Sequence, residues 1–216
     1  MVRKFFLRML VDHYCQGRGL EIGPGSTPYG DPEHTEFLDR YDEHERDFSI
    51  DINADATSIP RPDGAYDYVI SSHCLEHIPD TLKGLMEWTR VLKPGGILFL
   101  MLPHAHRTID RGRVVHPLQH HLDDYAKAVD LSDDTHHDEF LNITMANVIE
   151  MRMGSSDEQA GIFEYSEKLA KGQVHFHCWT QHEMVDILRH LGLEILFVMA
   201  ELPDHVDSFL VVSRKS

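Results

Sequence analysis

The chain has 216 residues and a formal net charge of −16, with 36 acidic residues, 20 basic residues and 17 histidines. That length fits one domain with a substantial core. The negative charge weighs against a nucleic-acid partner, which needs a basic face, and apolar runs such as 97–102 and 193–200 are too short to span a bilayer.

Residues 1–18 join a charged start to apolar positions interrupted by Arg8, Asp12 and His13. That is the pattern of an amphipathic helix rather than a signal peptide. Cys15, Cys74 and Cys178 are odd in number and widely spaced, with no CxxC pair, which fits free thiols in a reducing cytoplasm. Residues 19–22 form a short apolar run that breaks into Gly23-Pro24-Gly25. A carboxylate at Glu21, inside a run expected to be buried, needs a partner. Glycines at a strand's carboxyl end let backbone approach a ligand, where α/β sheets open their crevice. Asp39, eighteen residues after Glu21, stands where such folds hold a ribose hydroxyl.

A dinucleotide fingerprint fails, because there is no third glycine at the required spacing and Pro28 stands where a helix should open. A P-loop fails for want of a Lys-Ser or Lys-Thr pair. Thirteen residues separate Gly25 from Asp39, and Pro28, Gly30 and Pro32 interrupt them. The connection is therefore expected to be irregular, with Ser26, Thr27 and Tyr29 near the ligand.

Further strands are expected at 36–39, 48–51, 66–71 and 97–102, with a helix at 81–92 ended by Lys93-Pro94-Gly95-Gly96. Such alternation argues for an α/β fold, a parallel sheet with helices on both faces. A helix over 118–129 would set His120 and Asp124 on one face at i, i+4. Residues 136–151 read as a helix, and the polar stretch 154–172 as holding a further helical piece. Thr180-Gln181-His182-Glu183 is a capping box opening a helix that Gly192 ends. Residues 193–200 and 208–213 flank a Pro203-Asp204 turn and read as a closing antiparallel pair.

Six segments occur in a telling order. They are Leu20-Glu21-Ile22-Gly23-Pro24-Gly25, Asp39, Ala54-Asp55-Ala56, Tyr66-Asp67-Tyr68-Val69, Ser71-Ser72-His73-Cys74-Leu75-Glu76-His77 and Arg90-Val91-Leu92-Lys93-Pro94-Gly95-Gly96. Together, over residues 19–103, they resemble a class I S-adenosylmethionine-dependent methyltransferase. Past Pro103, Asp110-Arg111-Gly112-Arg113, His120-His121-Leu122-Asp123-Asp124-Tyr125 and Val174-His175-Phe176-His177-Cys178-Trp179-Thr180 resemble, more weakly, a bacterial methyltransferase group of undefined substrate.

The resemblance implies a Rossmann-like, doubly wound, seven-stranded sheet, mostly parallel with an antiparallel C-terminal pair, and a helical cover over the active site. It implies one domain, with an N-terminal helix (1–18), a cofactor-binding half (19–103), an acceptor-side cover (104–179) and a closing helix with two strands (180–216). The implied cofactor is S-adenosyl-L-methionine. By resemblance, Glu21, Gly23 and Gly25 approach its methionine end and ribose, Asp39 takes the ribose hydroxyls, and Asp55 with Ala56 meets the adenine. Ser72 and His73 fall beside the methionine moiety and the methyl. Read for themselves, Asp39 and Asp55 also suit helix caps or turns, and Asp67 a structural place.

Methyl transfer from a sulfonium is an in-line displacement that asks for alignment, exclusion of water and, for a hydroxyl or protonated amine, a base. Histidine suits that task near neutral pH. His104 and His106 follow the fifth strand; His116, His120 and His121 come next; His175 and His177 alternate on a strand-like piece, which would point both to one face. Three readings stay open. One is a His–Asp pair, with His120 or His177 as base. Another is a metal site built from His175, His177 and one of His120, Asp124 or His104. The third is histidines that cap and line the cleft without chemistry. His13, His34, His44, His182, His190 and His205 read as surface positions. Arg107, Arg111 and Arg113 either hold a substrate anion or pair with Asp110, Asp123 or Asp124.

The expectation is a cytoplasmic methyltransferase acting on oxygen or nitrogen of a small-molecule acceptor, with no membrane or nucleic-acid partner. The alternatives are a non-catalytic S-adenosylmethionine-binding regulatory or partner protein, and a metal-assisted O-methyltransferase.

Overall fold

A computed structural model describes residues 5–40, 46–151 and 174–216. Its strands are β1 (Gly19–Ile22), β2 (Thr35–Asp39), β3 (Ile52–Asn53), β4 (Tyr66–Ser72), β5 (Leu92–Pro103), β6 (Leu193–Met199) and β7 (Ser208–Lys215). They form one sheet in the order β3-β2-β1-β4-β5-β7-β6. The first five run parallel, while β7 lies antiparallel between β5 and β6. The seven-stranded mixed sheet and its antiparallel C-terminal pair match the expectation.

Helices cover both faces, which is why the central strands read as continuous apolar runs. Along β5, side chains alternate between two cores. Leu98, Leu100 and Leu102 pack with Leu82, Leu85 and Trp88 of α2 (Thr81–Val91), whereas Phe99 and Met101 pack with Leu7 and Val11 of α1 (Phe5–Tyr14). Gly19 is required by close approach, since a Cβ there would stand 1.9 Å from the Tyr68 ring.

The helices start where their caps are. Asp80 accepts from the Lys83 amide at 2.9 Å and opens α2. The remaining helices are α3 (Leu118–Lys127), α4 (His137–Glu139), α5 (Met145–Met151) and α6 (Gln181–His190), with a π turn at Phe140–Thr144. Thr180 and Glu183 form the expected capping box on α6. Among the described residues, no helix is long and apolar enough to cross a membrane.

Three expectations are corrected. The third strand lies at Ile52–Asn53, not at 48–51. Phe48 instead packs its ring at a tilt against Phe37 (ring centroids 4.8 Å apart), and the Asp51 carboxylate accepts from the Phe37 amide. The helix expected over 136–151 is interrupted by the π turn, and α3 stops before Ala128, whose φ is +54°. The piece expected at 154–172 lies outside the described residues. Residues 23–34 hold no helix, in line with the short, proline-interrupted spacing.

Candidate active site

A cleft of about 840 Å³ opens at the carboxyl ends of β1 to β5. This is where an open α/β sheet binds its ligand. Its floor is the turn after β1, where Gly23 (φ +66°) and Gly25 (φ +58°) adopt left-handed backbone. A Cβ on Gly23 would stand 3.0 Å from Cys74; one on Gly25 would meet nothing within 4 Å, so that backbone faces open space.

Glu21 is fully buried and is not among the residues lining the cleft. Its carboxylate accepts the amides of Tyr29 (3.0 Å) and Gly30 (2.7 Å), which folds the turn back over β1. Burial pushes its pKa up to about 7 against the pull of those two amides. Those two bonds hold the loop in shape.

Gly23, Gly25, Asp39, Asp55, Ala56, Ser72 and His73 all line the cleft, as do Ser26, Thr27 and Tyr29. Asp39 ends β2 and meets the buried Arg46 guanidinium at 2.5 Å, while Arg46 Nε donates to the Gly25 carbonyl at 2.8 Å. Asp55 is also a turn former: it accepts from the Thr57 amide and hydroxyl, both at 2.8 Å, and from Arg40 at 3.1 Å. Ala56 is fixed from behind, because the Trp88 indole donates to its carbonyl at 2.9 Å. His73 leaves β4 with φ +51°, its Nε2 2.9 Å from the Ser208 hydroxyl.

None of the five expected catalytic side chains, His104, His120, Asp124, His175 and His177, lines the cleft. His104 sits at the end of β5, where its Nδ1 accepts from the His106 amide. His175 gives its Nδ1 to the buried Asp110 at 2.6 Å. Burial works against that carboxylate, but His175, Arg113 and Thr144 hold its pKa below the usual range. His177 turns to Asp124 instead, at 3.1 Å. The two alternating histidines thus serve different carboxylates, so the metal set pairing His175 with His177 does not assemble. Arg107, Arg111 and Arg113 do not line the cleft either. Arg113 is buried on Asp110 and the carbonyls of His175 and Phe176, and Arg111 pairs with Glu150.

The cleft's far end is lined instead by His77, Asp80, Lys83 and Val129 to Ser132, with His205 near Tyr29. His205 was expected at the surface, and Arg46 carried no local signal. His77 ends the Ser71-to-His77 motif, and the sequence alone gives it no chemical role. Its Nδ1 donates to the Val174 carbonyl at 3.1 Å, which leaves Nε2 as the proton-accepting nitrogen. Burial lowers its pKa, so the ring is neutral near pH 7.

Residues 31–100 match the model of the Methyltransferase domain. That match agrees with the resemblance to the class I S-adenosylmethionine-dependent methyltransferases. Over 61 residues, 28% of the chain, it is 43% identical to ajmaline N-methyltransferase of Rauvolfia serpentina, and that match spans 20% of the relative's length. The fold is similar to that of an S-adenosylmethionine-dependent methyltransferase from Mesorhizobium loti (TM-score 0.56, 18% identity, 97% of this chain and 95% of that one). It is also similar to 1,6-didemethyltoxoflavin-N1-methyltransferase of Burkholderia thailandensis, solved with S-adenosylhomocysteine (TM-score 0.54, 11% identity, 100% and 79%). The cofactor that these similarities support is S-adenosylmethionine. The cleft fits it, with left-handed Gly25 facing open space and a carboxylate at the end of β2.

Proposed function

We propose that the chain transfers a methyl group from S-adenosylmethionine to oxygen or nitrogen of a small-molecule acceptor. The observation that carries this is one cleft holding both a nucleoside-type end and a histidine end. Its volume lies in the upper part of the about 300–1,000 Å³ that ligand pockets occupy, which leaves space for an acceptor beside the cofactor.

S-adenosylmethionine supplies an electrophilic methyl on a sulfonium that departs as a neutral thioether. In this reading Gly23 and Gly25 admit the cofactor against bare backbone, and Asp39 accepts from the ribose hydroxyls. Asp55 and Ala56 meet the adenine edge, while Ser72 and His73 border the methionine end. His77 takes the acceptor's proton at Nε2, with its tautomer set by Val174. It replaces His120 and His177 as base because only His73, His77 and His205 among the described histidines line the cleft. The N-methyltransferase relative supports a small-molecule acceptor, but its match covers 28% of this chain and does not decide between nitrogen and oxygen.

The test is a mass-spectrometric screen of amines, phenols, alcohols and carboxylic acids with S-adenosylmethionine. Methylated product and equimolar S-adenosylhomocysteine are expected from at least one class. His77→Gln should lower turnover about 10²- to 10⁴-fold while cofactor affinity stays. No product from any class, from protein that binds the cofactor, would sink methyl transfer in favour of a binding role.

A further inference from the structure

Outside the cleft, four side chains from three separate segments converge on one point. His120 and Asp124 come from α3, His136 from the residue before α4, and His177 from the segment before α6. Asp124 Oδ2 lies 3.1 Å from His120 Nε2, 3.1 Å from His177 Nε2 and 3.8 Å from His136 Nε2. His120 Nε2 lies 3.3 Å from His136 Nε2 and 3.4 Å from His177 Nε2.

Hydrogen bonding alone does not account for this arrangement. Each neutral imidazole has one proton and one lone pair. If His120 and His177 both donate to the same carboxylate oxygen, their two N–H groups also oppose each other. If one does not donate, its lone pair faces an acceptor. A divalent cation at the centre satisfies all four ligand atoms at once. A tetrahedral ion with bonds of about 2.0–2.1 Å sets its ligands about 3.3–3.4 Å apart, and the measured edges bracket that value.

We propose that His120, Asp124, His136 and His177 bind one divalent transition-metal ion, of which Zn²⁺ best suits three imidazoles and a carboxylate. Four protein ligands make the site closed, and a closed tetrahedral site is structural rather than catalytic. The surroundings agree. His177, Asp124 and His136 side chains are 0%, 4% and 7% exposed, and Thr81 Oγ1 stands 3.4 Å from the outer nitrogen of His177. None of the four lines the cleft.

The ion's effect reaches the cleft through the chain between its ligands. Val129 to Ser132, which form part of the cleft wall, lie between Asp124 and His136. Binding therefore ties both ends of that wall segment to each other and to His177, ahead of α6. The inference holds whether or not the chain transfers methyl groups.

The experiment uses protein made without a histidine tag. Metal analysis should find about one zinc per chain, or the chelated protein should take up about one Co²⁺ with the intense visible bands of tetrahedral cobalt. Chelation should lower Tm by at least about 5 °C and speed hydrogen exchange over residues 125–135. His136→Gln and Asp124→Asn should lose the cobalt bands, whereas His175→Gln, on the neighbouring carboxylate, should keep them. If a variant fails to fold, chelation and cobalt reloading of the wild type give the same answer. Folded wild-type protein that binds neither ion, or cobalt bands that survive His136→Gln, would overturn the proposal.

Discussion

Arg46 Nη2 stands 2.5 Å from Asp39 Oδ2, and Nε of the same guanidinium donates to the Gly25 carbonyl at 2.8 Å. One buried arginine thus links the acid at the end of β2 to the glycine turn after β1. Arg46→Met should therefore weaken S-adenosylhomocysteine binding about tenfold, through a looser turn and the loss of the Arg46–Asp39 ion pair. Calorimetric affinity unchanged by the substitution would show that the turn keeps its shape without Arg46.

The three glycines around β1 should differ in a set order. Gly19→Ala drives a Cβ into the Tyr68 ring and should abolish folding or lower Tm most. Gly23→Ala combines φ +66° with a 3.0 Å approach to Cys74 and should cost about 1–3 kcal/mol. Gly25→Ala meets nothing and should cost only about 1 kcal/mol, for its φ of +58°. Even so, its new methyl projects into open space at the cleft floor, so cofactor affinity should fall more than Tm. Thermal melts and calorimetry on the three variants check the order.

Much of this site was legible because it is local. The turn after β1, the acid at Asp39 and the motif at the end of β4 each lie within a few residues of a strand end, where the sheet itself fixes their place. The strand misplaced at 48–51 shows the limit: Phe48 and Ile50 have strand-like side chains, but Phe48 packs at a tilt against Phe37 outside any ladder. The histidines show it more fully. His120 and Asp124 were readable as an i, i+4 pair, and they do meet at 3.1 Å. That His136 and His177 join them, while His175 turns to Asp110, depends on how three distant segments pack. Nothing in the spacing of residues 120, 136 and 177 announces it.

Glu21 should give the fold a pH dependence of a particular sign. Its ordinary pKa of 4.5 is raised to about 7 by burial, so the folded state holds its proton more tightly than the unfolded chain. That contribution is full below about pH 4.5 and is lost as pH rises through about 7. A shift of this size corresponds to about 3 kcal/mol. Denaturant titrations across pH 4.5 to 7 should show this component, and Glu21→Gln should remove it. A Glu21→Gln profile parallel to wild type would mean that the carboxylate ionises freely in the fold.

Calorimetric titration with S-adenosylhomocysteine tests the central claim most directly. The account predicts saturable binding with about one ligand per chain, weakened at least about tenfold by Asp39→Ala, since the lost acceptor would leave a ribose hydroxyl without its partner. The absence of any heat or thermal shift with folded wild-type protein, or wild-type affinity in Asp39→Ala, would contradict it.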